Sequence, residues 1–388
     1  MIKLRNACFL AILLLFCCRK PYNPPASSTT NSYLVVEGVI NSGSDSTIIK
    51  LSKTVKLNAG VTINPLPGAT VTVEGSQSST WPLADDGKGN YISTGLNLSS
   101  SQQYRLRIRT ADGSQYVSDF EPVKPTPPID SIGFIIQNDG VQLYVNAHDP
   151  ANNTRYYRWD YQETWIFHAD YLSLSVLDTN TNKIVYRRDD QKVYFCFAHG
   201  SSSSILLGST AKLTQDVVYQ GPITKIPLSS EKLESKYSIL LRQYALTPDA
   251  YTFYTNLKKN TEQLGSIFDA QPSQLTGNIH NVADAGQPVI GFITVTNVQS
   301  KRIFIPSTEL PANNSSVYPY KCEQDTALLA DKDGFNQAQN ILITPPRYYE
   351  ATVPLSAPGG GIYAYLYSTP ICMDCTLRGF TQTPPFWK

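Results

Sequence analysis

The stretch YRLRIRTADGSQYVS, residues 104–118, decides the fold class. Its first half alternates between apolar side chains and three arginines, which is typical of a β-strand that buries one face. Asp112-Gly113 follows, a dipeptide that favours the tight turn of a β-hairpin, and a second alternating segment comes after it. The stretch therefore predicts two half-buried antiparallel strands.

Similar strand patterns recur around this hairpin at short, regular intervals. They lie at residues 33–40, 47–57, 68–75, 89–94 and 120–123. Short strands separated by turns that contain Gly and Asp indicate a small β-sandwich. We therefore expect an N-terminal immunoglobulin- or transthyretin-like sandwich over residues 33–124. The part from Pro67 to Ser118 resembles the transthyretin-like, carboxypeptidase-regulatory type.

A proline-rich joint, KPTPPIDSIGF at residues 124–134, follows this unit. Such a cluster of prolines favours a domain boundary. The chain beyond it is again rich in strand patterns, at residues 140–149, 155–171, 183–188, 192–198, 237–246, 288–298 and 361–368. We therefore predict a mainly β protein in which the sandwich is followed by a larger β-rich domain over residues 125–388.

One segment of the second domain, residues 247–265, has the pattern of a helix. Thr247 stands at the N-cap position, Pro248 at the first helical position and Gly265 where a C-cap glycine belongs. Tyrosines and leucines recur between these ends near helical spacing. We expect this helix to pack across a sheet.

The first 18 residues have the organisation of a lipoprotein signal peptide. Basic residues precede an apolar run at residues 8–16, which is too short to persist as a membrane-spanning helix. Leu15-Phe16-Cys17 resembles a relaxed lipobox, so we expect Cys18 to be lipidated and residues 19–32 to form a flexible Pro/Ser tether. The alternative is a plain secretory signal that happens to end in two cysteines.

The composition agrees with an exported β protein. Charged residues make up 16% of the 388 residues and the net charge is +1, so no strong field favours nucleic acid as a partner. Tyrosine and proline are plentiful, and Ser, Thr, Asn and Gln crowd the connections. This composition is typical of an extracytoplasmic β protein.

Four cysteines lie outside the signal sequence: Cys196, Cys322, Cys372 and Cys375. An even number in an exported chain predicts disulfides. The Cys-x-x-Cys spacing of the last two also occurs in zinc sites and redox dithiols. However, the chain has no second Cys-x-x-Cys, and the motif does not stand before a helix in a βαβ setting. We expect all four cysteines to form disulfides, whose connectivity the sequence leaves open.

Candidate catalytic and metal-binding residues are few. The four histidines, at positions 148, 168, 199 and 280, share no metal-binding spacing, and HGSSSS at 199–204 lacks the Gly-x-Ser-x-Gly pattern of a serine hydrolase. Asp85-Asp86 and Asp189-Asp190 lie in predicted turns. The sequence leaves open whether two carboxylates from distant strands form a glycosidase pair. The sequence thus predicts no catalytic residue, no metal ligand and no cofactor.

Motifs spread over the whole mature chain carry a family resemblance. In order, they are YLVVEGVI (33–40), DDGKGNY (85–91), PTPPIDSI (125–132), the stretch from 237 to 279, and CMDCTLRG (372–379) with PPFW (384–387). Together they resemble domain-of-unknown-function family 4249, outer-membrane lipoproteins of Bacteroidota-type bacteria. The resemblance implies a β-rich lipoprotein that accompanies a TonB-dependent β-barrel transporter, and it supplies no catalytic or ligand-binding residues. The basic Arg19-Lys20 departs from the acidic surface-export signals of such bacteria, so the choice between periplasmic face and cell surface stays open.

Two functions follow as hypotheses. The favoured one is a non-enzymatic accessory or binding protein, held in the outer membrane by lipid on Cys18 and associated with a TonB-dependent transporter. Its contacts would come from exposed aromatic residues, for which we consider residues 155–167 and 384–387. The alternative is an extracytoplasmic hydrolase of polysaccharide or peptide, which would require a cleft lined by two carboxylates.

Overall fold

The computed structural model of the protein describes residues 32–55, 60, 63–262, 275, 277–311 and 316–388. The predicted signal peptide, Cys18 and most of the tether lie outside these residues. Strands make up 46% of the structure and helices 11%, with one helix of seven or more residues, which confirms the mainly β fold. Within the described part, no helix combines the length and apolarity that crossing a bilayer requires.

Seven of the nine strands described for the N-terminal unit follow the predicted stretches. The nine strands are β1 (Leu34–Asn41), β2 (Thr47–Lys53), β3 (Asn64–Pro65), β4 (Thr70–Gly75), β5 (Thr80–Asp85), β6 (Asn90–Ser93), β7 (Gln103–Arg109), β8 (Gln115–Ser118) and β9 (Glu121–Lys124). Of these, β3 and β5 were not predicted.

Sixteen further strands follow in the described part of the chain. They are β10 (Ile129–Gln137), β11 (Gly140–His148), β12 (Tyr156–His168), β13 (Ser175–Asp178), β14 (Lys183–Tyr186), β15 (Phe195–Ser201), β16 (Leu206–Ser209), β17 (Val217–Ile226), β18 (Lys236–Ala245), β19 (Ile279–Asn281), β20 (Val289–Ile290), β21 (Val295–Thr296), β22 (Gln299–Pro306), β23 (Asp325–Leu328), β24 (Glu350–Ser356) and β25 (Ile362–Ser368). The α-helices of the described residues are α1 (Pro248–Glu262) and α2 (Pro370–Met373), and Gln339–Ile343 forms a short π-helix.

The hairpin β7–β8 has the predicted alternation. Tyr104, Leu106 and Ile108 are fully buried in the core of the N-terminal unit. On the other face, the guanidinium groups of Arg105 and Arg107 lie 2.7 and 2.5 Å from the carboxylate of Glu74 on β4. The turn contains Gly113 at a φ of 88°, a conformation that glycine adopts without strain.

Residues far along the chain complete the N-terminal sheet. β19 pairs with β8, while β20 and β21 run parallel to β1. β21 also pairs with β9, which in turn pairs with β7, so the sheet closes on itself as a barrel-like sandwich. The sequence pattern at 288–298 predicts strands there, but it does not show that they belong to the first sheet.

The proline-rich joint is fixed between the two parts of the chain. Thr126 in this joint is buried, and its hydroxyl lies 2.6 Å from that of Thr296 and accepts a hydrogen bond from the Ala245 backbone. That the chain divides at residue 124 into two independently folding domains stays a prediction. The pairing of residues 279–296 with the first sheet means that any N-terminal unit also includes this later segment.

The second part of the chain is built around two sheets that share one core. The first has the order β10-β11-β17, and the second has the order β15-β12-β18-β22, with β16 also pairing with β12. Val141, Leu143 and Val145 of β11 and Tyr157, Trp159 and Phe167 of β12 are buried in this core. A smaller sheet, β23-β25-β24, has a separate core.

The predicted helix is present as α1. Thr247 caps it, because its hydroxyl accepts a hydrogen bond from the Ala250 backbone at 3.3 Å. The helix packs on β12, where the Tyr156 and Tyr251 rings lie 4.7 Å apart. The helix therefore covers part of a sheet, as expected. Its predicted C-cap, Gly265, lies outside the described residues.

The four cysteines form two disulfides. Cys196 of β15 is bonded to Cys375, and Cys322 is bonded to Cys372. The predicted oxidation is thus present, with a connectivity that the sequence does not reveal. The two cysteines of the Cys-x-x-Cys motif are halves of different disulfides, which fits neither a zinc site nor a redox dithiol.

We expect the disulfide between Cys196 and Cys375 to stabilise the fold more than the other one. The separations are 179 and 50 residues, and cross-linking the longer loop removes more entropy from the unfolded chain. Replacing Cys196 and Cys375 by Ser should lower the free energy of unfolding by about 2–5 kcal/mol, and the matched Cys322/Cys372 double variant should lose less. Urea unfolding followed by tryptophan fluorescence measures both. An alkylated free thiol in the native protein would contradict the assignment.

Candidate functional site

The C-terminal segment, residues 375–388, crosses the free edge of β15. The Cys196–Cys375 disulfide fixes its start, and Phe380 and Phe197 exchange two backbone hydrogen bonds of 2.8 and 2.9 Å. Gly379 permits this approach, because a Cβ atom there would lie 2.3 Å from the Phe197 carbonyl oxygen. The segment therefore lies on the sheet edge at one fixed register.

Beyond Phe380 the C-terminal segment turns over one face of the sheet. The Trp387 ring lies 5.1 Å from that of Phe197 and 5.5 Å from that of Phe304 on β22. The guanidinium carbon of Arg302, also on β22, lies 3.6 Å from the centre of the Phe386 ring. These aromatic contacts hold the end of the chain against β15 and β22.

Two clefts border the edge of β15, one on each side of the C-terminal segment. Cleft 1 has a volume of about 700 Å³ and is lined by Gln162, Glu163, Thr164, His199, Gly200, Ser201, Arg302, Phe380, Gln382, Thr383, Pro384, Pro385 and Phe386. Cleft 2 has a volume of about 710 Å³ and is lined by Trp165, Ala198, His199, Glu231, Pro319, Tyr320, Leu377, Arg378, Gly379 and Phe380. His199 and Phe380 are common to both.

Cleft 1 combines neutral polar side chains with one cation. Gln162, Thr164 and Ser201 supply amide and hydroxyl groups, and Arg302 supplies the positive charge. Arg302 donates a hydrogen bond to the Ser238 hydroxyl at 3.0 Å, and it forms no ion pair with any carboxylate of the described residues. Partial burial lowers the pKa of Arg302. The cleft thus offers an arginine whose charge is not neutralised within the described chain.

The carboxylate of cleft 1, that of Glu163, is held by other groups. It pairs with the ammonium of Lys232 and accepts a hydrogen bond of 2.9 Å from the Tyr237 hydroxyl. Burial, and after it the charge of Glu163, raises the pKa of Tyr237 well above its ordinary value. Glu163 itself is only 6% exposed and packs over Gly200, so its position is that of a structural ion pair in the core.

The carboxylate of cleft 2, that of Glu231, is also paired. It lies 2.6 Å from the guanidinium of Arg378, which donates a second hydrogen bond to the His168 carbonyl and lies over the Phe167 ring. In contrast, two N–H groups of residues that line this cleft have no partner in the described part of the chain: Nε1 of Trp165 and Nε of Arg378.

Neither of these two clefts has a pair of facing carboxyl groups. Each is lined by one carboxylate, and that carboxylate is in an ion pair with a lysine or an arginine. A glycosidase uses two carboxyl groups that face each other across the scissile bond. The described residues also contain no group of three or more His, Cys, Asp or Glu side chains placed to hold a metal ion.

The two aromatic stretches proposed as contact surfaces have different positions. Tyr157, Trp159, Trp165 and Phe167 of residues 155–167 are buried, so most aromatic side chains of that stretch belong to the core. The terminal PPFW, residues 384–387, lies at cleft 1. Cys18, the predicted lipidation site, lies outside the described residues.

Sequence reasoning did not identify Arg302 or the ion pair of Glu163. Arg302 belongs to no motif, and the strand at 299–306 was not predicted. Glu163 lies in the stretch 155–167, which was considered for its aromatic residues alone. Of the four histidines, His199 lines both clefts, whereas His148, His168 and His280 each lie beside a single carboxylate. The structure therefore brings together residues that are widely separated in the chain.

Comparison with known proteins identifies a family but no activity. A family model described as "Domain of unknown function (DUF4249)" matches residues 19–302, nearly three quarters of the chain. No curated protein gives a significant match.

Two solved structures show weak similarity. A chitinase from Bacillus thuringiensis is 13% identical, with a TM-score of 0.15, over 48% of this chain and 30% of the chitinase. A protein from Bacteroides uniformis, described as a candidate carbohydrate-binding protein, is 11% identical, with a TM-score of 0.12, over 56% of this chain and 91% of that one. The chain thus spans less than a third of the chitinase's length, and TM-scores this low do not establish a shared fold.

We expect Lys232 to be needed for stability because it neutralises Glu163. Replacing Lys232 by Met leaves a buried carboxylate without its cation, which should lower the free energy of unfolding by about 2–3 kcal/mol, since the ammonium is partly exposed. Adding Glu163→Gln should recover part of this loss. Lys225→Met, which breaks an exposed pair with Asp139, serves as the control and should change stability by less than about 1 kcal/mol. A fully stable Lys232→Met variant would show that Glu163 does not depend on this pair.

Proposed function

Because the chain belongs to the DUF4249 family, which supplies no known activity, we propose a function from the site and the predicted anchor. We propose that the protein is a lipid-anchored outer-membrane lipoprotein that acts without catalysis, as an accessory or binding partner of a TonB-dependent transporter. The transporter is inferred from the family resemblance described above. The lipid anchor is inferred from the sequence pattern around Cys18.

The observation that carries the non-enzymatic role is the pairing of the carboxylates in both clefts. A general acid or base must reach the substrate and exchange a proton with it. Glu163 is buried behind Lys232 and Tyr237, and Glu231 is bound by Arg378. These groups stabilise the walls of the clefts. What faces the open volume is a set of amides, hydroxyls, aromatic rings and Arg302, which suits recognition of a ligand.

The predicted anchor would place these clefts beside a membrane partner. The tether at residues 19–32 leads almost directly into β1, which starts at Leu34. A protein confined to the membrane of its partner has a high effective concentration, so a weak interface suffices for association. Acyl chains on one cysteine contribute about 0.8 kcal/mol per buried CH₂ group, and more than one chain is needed for a stable hold.

We expect Cys18→Ser to release the protein from the membrane fraction or to leave its signal peptide uncleaved. The serine hydroxyl cannot accept the lipid that the cysteine thiol accepts. Cys17→Ser is the matched control and should stay anchored. Fractionation of cell envelopes followed by immunoblotting measures both. A Cys18→Ser protein that is processed and still fractionates with the outer membrane would place the anchor elsewhere.

We expect the full-length protein to co-purify with a TonB-dependent transporter after mild detergent extraction, and the isolated soluble part to hydrolyse nothing. A panel of polysaccharides and peptides, incubated with the purified protein and analysed by mass spectrometry, tests the second point. Turnover that a single Asp or Glu substitution abolishes would contradict the proposal in favour of a hydrolase. Extraction without any transporter would contradict the partner role.

A further inference from the structure

The register between β12 and β15 determines which backbone groups of β15 are free. In an antiparallel pair, alternate residues exchange hydrogen bonds with the neighbouring strand, and the residues between them direct N–H and C=O outward. Thr164 lies opposite His199, and just beyond the ends of β15 Ser202 donates to Tyr161 and Ala169 donates to Tyr194. This phase places the hydrogen-bonded pairs at even-numbered residues of β15.

The odd-numbered residues of β15 therefore direct their backbone outward from the sheet. Phe197 confirms this phase, because it exchanges its outward hydrogen bonds with Phe380. His199 and Ser201 come next along the same edge, and their outward N–H and C=O groups have no partner among the described residues. An unpaired strand edge of this kind is a template for another extended chain.

The two clefts lie on opposite faces of this edge. Thr164 and Ser201, which line cleft 1, direct their side chains to one face, and Trp165 and Ala198, which line cleft 2, direct theirs to the other. His199 lines both clefts. Successive side chains of a strand point to opposite faces of a sheet. A strand added beside His199 and Ser201 would thus place alternate side chains in cleft 1 and in cleft 2.

We propose that an extended segment of a partner polypeptide adds to the edge of β15 at His199–Ser201, with its side chains directed alternately to the two faces of the sheet. The proposal deepens the proposed function and rests on it, since it names the surface with which the binding protein holds its partner. Main-chain hydrogen bonds would supply affinity, and the two clefts would supply specificity, as in other complexes formed by strand addition.

The occupant is a polypeptide because the free groups are those of a strand. Donors and acceptors alternate along the edge at the spacing that a second backbone matches. Pairing of two copies through this edge is disfavoured, because it would bring two C-terminal segments together at Phe380.

One variant of the protein and a matched control test this proposal. His199→Pro removes an outward N–H without breaking a hydrogen bond to β12, and proline is tolerated on edge strands. Phe195→Pro is the matched control, since it changes an outward position of the same strand that lines neither cleft. Circular dichroism and the urea midpoint of each variant verify that it folds.

The probe is a library of random linear nonapeptides, selected on the purified soluble protein. His199→Pro should weaken the binding of the enriched peptides about tenfold by calorimetry, while Phe195→Pro changes it less than twofold. N-methylation of the peptide residues whose N–H groups face β15 should abolish binding. N-methylation of the residues between them should be tolerated.

Several results would contradict strand addition or the proposed function. Failure to enrich any peptide, or equal binding by His199→Pro and the native protein, would overturn strand addition. A dimer in sedimentation that His199→Pro dissociates would replace it by self-association. If peptides bind as expected but no transporter co-purifies, the partner named in the proposed function is wrong and the binding edge stands. If the transporter co-purifies equally with His199→Pro, the edge is wrong and the proposed function stands.

Discussion

The attachment of the C-terminal segment to β15 is the interaction on which the site depends. One covalent bond, Cys196–Cys375, and two hydrogen bonds between Phe197 and Phe380 fix residues 375–388 across a strand edge. Trp387 then packs against β15 and β22. Without this attachment neither cleft would have its second wall. Among the described residues, the C-terminal segment pairs with the backbone of β15 at Phe197 alone. The outward N–H and C=O groups of His199 and Ser201 therefore stay uncovered between the two clefts.

Buried charge has a separate role in the same region. Glu163, 6% exposed, would be costly to bury alone, and Lys232 with Tyr237 makes its burial tolerable. Glu231 and Arg378 form the equivalent pair in cleft 2. Both carboxylates therefore hold the walls in place, whereas Arg302 faces cleft 1 with its charge unbalanced. Neither cleft therefore has a carboxylate outside an ion pair.

The sequence predicted what depends on local patterns. Alternation at residues 104–109, the turn at Gly113 and the cap at Thr247 are each determined by neighbours in the chain, and each is present. The return of residues 279–296 to the first sheet was not predictable in this way, because parallel pairing with β1 leaves no local signal. The disulfide connectivity and the position of Arg302 beside Phe386 also depend on contacts between distant segments. Aromatic content was a poor guide to exposure, since Trp159 and Trp165 fill the core.

The edge of β15 is open at His199 and Ser201 between the two clefts. Residue-resolved amide hydrogen exchange of the free protein tests this openness most directly. We expect slow exchange at Ala198 and Gly200, whose N–H groups face β12, and fast exchange at His199 and Ser201, whose N–H groups face outward. Slow exchange at all four positions would show that another part of the chain covers this edge, and the edge would then not be open.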